Sequence, residues 1–122
     1  MSVTFVGLNA QETDPRITEI FKEAPADSQP DARQIAFLTD ILQNRVKVIE
    51  SPVNPKETYT RLSAVALRNK YNHDMARDVV FDPLTFNPLK YDFNFSSFAE
   101  EIGYRVDGTN YIVIIKPQHL NR

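Results

Sequence analysis

Apolar and polar positions change period several times along the chain, and each change predicts an element. At the start, Val3 and Phe5 alternate with polar neighbours, the spacing of an extended strand. Thr13-Asp14-Pro15 marks a helix start, because Asp14 can accept from free backbone amides and Pro15 has no amide to lose at the first helical position. Ile17, Ile20 and Phe21 follow at helical spacing and predict a short one-faced helix that ends at Ala24-Pro25-Ala26-Asp27. Ser28 with Asp31 has the spacing of a capping box, and Ile35, Leu38, Ile41 and Leu42 then form a core-facing stripe to about Gln43. Arg45-Val46-Lys47-Val48 alternates with period two and predicts a strand.

Asn54-Pro55-Lys56-Glu57 carries the clearest capping signature, with proline just inside the helix and glutamate at the third position. It predicts a helix bearing Tyr59, Leu62, Val65, Ala66 and Leu67 that fades around Asn72. Val79-Val80-Phe81 reads as a short strand, and Tyr91, Phe93 and Phe95 alternate with Asp92 and Asn94 as a half-buried strand does. Ser97 and Glu100 are placed to cap a short helix over Phe98 and Ile102, with Gly103 at its left-handed end. Tyr104-Arg105-Val106, Asp107-Gly108 and Thr109 to Lys116 predict a β-hairpin, because Asp-Gly accepts the positive φ angles of a tight turn. Together these predict a small single α+β domain: an antiparallel sheet with a C-terminal β-hairpin, packed by two or three helices, behind an extended N-terminal arm. Residues 1–34, acidic, proline-punctuated and sparse in large apolar groups after Leu8, form the arm with its short helix; residues 35–122 form the globular domain.

Composition narrows the function classes. A chain of 122 residues fits one domain, and 42% apolar with 25% charged residues argues for a folded chain over a disordered one. A formal charge of −2 gives no global attraction to nucleic acid or anionic membrane. Without cysteine there is no disulfide, no thiolate zinc site and no cysteine nucleophile. The first residues lack the basic and apolar stretches of a secretory signal. The longest strongly apolar run, Tyr111 to Ile115, is far short of the roughly 20 residues of a membrane span. The expected location is the cytoplasm, or a particle assembled inside the cell.

Candidate chemistry is sparse. His73 with Asp74, Asp78 or Asp82 has the residue types for a divalent cation, but Arg68, Lys70 and Arg77 lie among them and ordinary ion pairing explains the same cluster. No Gly-x-Ser-x-Gly elbow surrounds Ser96 or Ser97, and Glu100 and Glu101, adjacent in sequence, diverge on a helix. Three glycines cannot build a phosphate-cradling loop. The sequence therefore predicts no catalytic residue, no cofactor, no metal and no small-molecule substrate.

Two binding readings remain. In the first, the chain is a non-enzymatic subunit of a larger assembly such as a virion. It self-associates or docks on a protein partner through its arm, with Val3, Phe5, Ile17, Ile20 and Phe21 as apolar contacts. In the second, it is a small regulator that binds nucleic acid, or a nucleic-acid enzyme, through the local basic excess from Arg61 to Arg77. Arg61, Arg68, Lys70 and Arg77 would meet phosphates there, and Tyr71 would stack. Among the aromatics of the last third, Phe93, Phe95 and Phe98 are expected in the core, and Phe86, between two proline breaks, is the candidate for an exposed anchor.

Overall fold

The computed structural model describes residues 13–98 and 100–118. Asp14 accepts the Arg16 amide at 2.8 Å and opens helix α1 (Pro15–Ile20), as the Asp-Pro pair predicts. The next cap differs from the expected Ser28. Asp31 caps α2 (Ala32–Asp40) by accepting the Gln34 amide at 2.8 Å, while the Gln34 side-chain carbonyl accepts the Asp31 amide at 3.0 Å. An Asp/Gln pair satisfies both donors reciprocally, which Ser28 with Asp31 would not. Beyond Asp40 the helix widens into a π turn, Ile41–Arg45, which sends Ile41 and Leu42 into the core and leads into strand β1 (Val46–Glu50).

Three further strands, β2 (Thr60–Arg61), β3 (Ile102–Arg105) and β4 (Tyr111–Ile115), complete a sheet of order β1-β4-β3-β2. Strand β4 runs antiparallel to both neighbours, with Val113 opposite Val48 on one side and Tyr104 on the other. Strand β2 joins β3 in parallel, Thr60 opposite Tyr104. The sheet is therefore mixed, which corrects the expectation of a purely antiparallel one; the class, a small α+β domain, stands. Between β3 and β4, Gly108 supplies the positive φ, 71°, that the connection needs.

The helix expected from Pro55 to about Asn72 does not form. Its cap does: Asn54 accepts the Lys56 amide at 2.9 Å, and Glu57 accepts the Asn54 amide at 3.1 Å. But Arg105 then grips Glu57 through two bonds, 2.6 and 2.9 Å, and the same guanidinium donates to the Ser51 carbonyl at 2.7 Å. That clamp, with hydrogen bonds first and charge second, holds the Glu57 carboxyl down at about 2. Tyr59 lies over Gly103 so closely that a Cβ there would stand 2.6 Å from the ring. Residues 51–59 thus strap the face of the sheet that carries Gly103, Arg105 and Ile112, and the chain enters β2 extended. Long-range pairing has overridden a local helix signal.

Three smaller expectations also change. Val79-Val80-Phe81 is a loop and not a strand, and Ile102 and Gly103 belong to β3 and not to a helix capped by Ser97. Tyr91, Phe93 and Phe95 are buried and Asp92 and Asn94 exposed, as the alternation predicts, but the segment is only bridged to residues 66–68: Arg68 N–H donates to Lys90 O and Asp92 N–H to Ala66 O.

One apolar cluster runs from Ile17 and Ile20 of α1 through Ile41 and Leu42 to Phe93, Phe95 and Ile115, so the boundary drawn at residue 34 is not a break in packing. A row of rings, Phe81, Phe86, Tyr91, Phe93 and Tyr104, stacks through it at centroid spacings of 4.6–5.8 Å. Phe86 is buried in that row, not an exposed anchor, and Phe98, expected in the core, is 55% exposed.

Candidate interaction surface

The root of the expected arm is stitched to the rest of the chain. Buried Asn72 donates to the Glu19 carbonyl at 2.8 Å. Buried Asn87 donates to the Arg16 carbonyl at 3.1 Å and to the Glu19 carboxylate at 2.8 Å, and accepts the Leu89 amide at 3.0 Å. A six-residue helix has little stability of its own, so these bonds and the burial of Ile17 and Ile20 hold it. Ile17 and Ile20 are core residues on this fold, which corrects their expected exposure as docking contacts. Phe21 is half-buried and stacks on Tyr71 at 5.9 Å. Val3 and Phe5 lie outside the described residues. In the sequence Asn87-Pro88 reads only as a break, and nothing beside Asn72 or Asn87 announces this stitching.

Beside α1 and α2 lies an open groove of about 600 Å³, walled by Ile20, Phe21, Phe37, Leu38, Phe93 and Phe95. Gln34, Arg68, Asp92 and Asn94 supply its polar contacts. None of the nine residues of α2 is fully buried, and Phe37 is 40% exposed, so the outer apolar edge of this helix has no cover among the described residues. Arg68 pairs with Asp92 at 3.0 Å, donates to the Phe93 carbonyl at 3.1 Å and sits 5.7 Å above the Phe95 ring.

The other residues of the expected basic patch do not join Arg68. Arg77 reaches inward, donating to the Val65 carbonyl at 2.6 Å and lying 5.9 Å over the Tyr91 ring. Arg61 pairs loosely with Asp107 at 3.7 Å, and Lys70 sits over Tyr71 at 5.2 Å. Arg61, Arg68 and Arg77 line three different grooves. Among the described residues no group of three or more histidine or acidic side chains could hold a metal ion. His73 instead meets Glu23, Nδ1 to Oε1, at 2.5 Å, and its backbone amide and ring together hold that carboxyl below its ordinary value.

The feature that sequence reasoning missed is the loop at residues 76–86. Its base is fixed by a partly buried polar knot. The Tyr91 hydroxyl donates to Asp78 at 2.9 Å, Lys90 pairs with the other Asp78 oxygen at 2.9 Å, and the Asp78 amide donates back to the Tyr91 oxygen at 3.2 Å. Burial pushes the Tyr91 phenol up, the wrong direction for a phenolate base or nucleophile, so this knot ties the loop down. Phe81 turns in against Phe86 and Tyr111, and Asp82 caps a tight turn by accepting the Leu84 amide at 2.9 Å. Between Asp78 and Phe81, Val79 and Val80 stand 98% and 81% exposed, and Leu84, past Asp82, stands 93% exposed. The sequence signal was Val-Val itself, which reads as a short strand.

No protein-family model matches this chain, and neither a curated protein nor a solved structure matches it.

Proposed function

We propose that this chain is a non-enzymatic interaction protein, a subunit of a larger assembly such as a virion or similar particle formed inside the cell. The observation that carries the reading is the anchored loop. Single exposed aliphatics are ordinary, but Val79 and Val80 are presented as a pair between Asp78 and Phe81, with Leu84 exposed beyond the Asp82 turn. A loop ordered before binding loses little conformational freedom when it docks, which favours a real contact over a chance exposure. The N-terminal arm is the second contact: Val3 and Phe5, at strand spacing ahead of α1, extend a neighbour's sheet, and Phe21 meets the partner at the groove.

Light scattering on the full chain at low and high salt tests this reading, alongside a variant lacking residues 1–12. Deleting residues 1–24 would remove Ile17 and Ile20 from the core and would report on folding instead. A defined oligomer or particle that persists at high salt, and loses mass without the arm while circular dichroism stays unchanged, is the expected outcome. A chain that is monomeric at both salts and keeps any partner contact without residues 1–12 overturns it. Salt-dependent binding to DNA or RNA that is lost when Arg68 and Lys70 become alanine would favour the nucleic-acid regulator instead. The scatter of Arg61, Arg68 and Arg77 over three grooves speaks against that alternative, since phosphate tracking needs a continuous basic stripe.

A further inference from the structure

Strand β1 lies at one edge of the sheet, with β4 on one side and no strand on the other. The Ser51 amide donates to the Asn110 carbonyl and the Lys116 amide to the Arg45 carbonyl, so the odd-numbered residues from 45 to 51 turn their backbone groups toward β4. Val46, Val48 and Glu50 alternate with them and turn theirs outward. Among the described residues nothing bonds to the outward amides and carbonyls of Val48 and Glu50. On the core face of this same edge, the Val46 and Val48 side chains join Leu42, Leu84, Phe86 and Pro88 around an open cleft of about 290 Å³. Leu84, almost fully exposed, is its uncovered wall.

We propose that this edge receives the N-terminal arm of a second copy: Ser2 to Val6 pair with β1 as a fifth strand, and Val3 and Phe5 fill the cleft. This rests on the assembly reading above and names the edge that the arm extends. Open strand-edge groups select an extended segment, since a helix spends its own amides and carbonyls internally. Alternate side chains of an added strand then fall on one face, which sets Val3 and Phe5 together over the apolar cleft and leaves Ser2 and Thr4 on the other side. Chain length favours a neighbour's arm over the chain's own. Arg16 also lines the cleft, so the described chain begins beside it. The residues nearest that root, 8–12, would reach the home edge first, and Leu-Asn-Ala-Gln-Glu offers one large apolar group. Phe5 lies seven residues ahead of Thr13, a spacer that extends to about 25 Å and suits a crossing to a two-fold mate. Reciprocal exchange of this kind closes as a dimer and leaves Val79 and Val80 uncovered for a further contact.

The test joins light scattering on the full chain with amide hydrogen exchange at Val48 and Glu50. The expected result is a dimer in which both amides exchange at least about tenfold more slowly than in Phe5→Asp, and in which Phe5→Asp is monomeric. Leu84→Asp, at an exposed position, should weaken the dimer by about tenfold, the scale of losing one apolar anchor. Slow exchange in a monomer would set the arm on its own edge and overturn the exchange together with self-assembly. Fast exchange in an oligomer would overturn the edge contact, and the assembly reading would survive through another surface. Fast exchange in a monomer overturns both. Protection that persists in Phe5→Asp would overturn the arm as the occupant, and a dimer unweakened by Leu84→Asp would overturn the part given to the cleft. Phe5→Ser and Leu84→Ser repeat the experiment should either charged variant lose its circular dichroism.

Discussion

Helix α1 and the loop at residues 76–86 are both short, both carry aliphatic side chains and both are tied down by polar side chains, yet their apolar residues face opposite ways. In α1 the tethers attach along the element itself: Asn72 and Asn87 bond to the carbonyls of Glu19 and Arg16, which presses the helix onto the core and turns Ile17 and Ile20 inward. In the loop the tethers attach at the ends. Arg77 and Asp78 hold one side, Phe81 and the Asp82 turn hold the other, and what lies between is pushed outward. Where a polar anchor grips the backbone therefore decides whether neighbouring aliphatics become core or contact. Hydrophobicity alone does not.

Substitutions at matched positions can break or sharpen this contrast. The largest effect is expected for Ile17→Ala, which opens a cavity at a fully buried site and should lower unfolding stability in urea by about 2–5 kcal/mol. A loss comparable to a surface mutation would mean that α1 is not part of the core. Next, Asp78→Ala strips Lys90 and the Tyr91 hydroxyl of their shared partner, which should cost about 1–3 kcal/mol. Hydrogen exchange should then rise at the loop and stay unchanged at α1. Asn87→Ala should make the reciprocal change, about 1–2 kcal/mol with exchange rising in α1 and not in the loop. The smallest effect belongs to Val79→Ser, within about 0.5 kcal/mol of the unaltered chain by thermal denaturation. A clear destabilisation there would show the valine to be packed after all, and would remove the basis for its role as a contact.

Legibility followed the range of the interactions. Asp14-Pro15 was readable because a cap is a matter of three or four neighbouring residues. The burial of Tyr91, Phe93 and Phe95 was readable because alternation needs only an extended backbone, whatever it pairs with. The false helix from Pro55 to about Asn72 shows the limit. Its capping signal is genuine, but Arg105, 48 positions away, takes Glu57, and Gly103 takes Tyr59. Nothing local announces either. Phe86 and Phe98 exchanged places for the same reason: flanking prolines say that the chain turns at Phe86, not that a row of rings closes over it. The groove is assembled from residues near 20, 34–38, 68 and 89–96, a set with no linear motif.

The grip of Arg105 on Glu57 also has a consequence for acid. A carboxyl held at about 2, against an ordinary 4.5, favours the folded state fully above the ordinary value and loses that contribution as pH falls through about 2. Mildly acidic compartments lie above this window, so the strap over the sheet stays latched there, and only strong acid releases it. Glu57→Gln should flatten the dependence of stability on pH below about 4.5 and leave its shape near neutrality unchanged. The proton-sensitive fastening of the sheet therefore lies within the fold, where the strap meets β3.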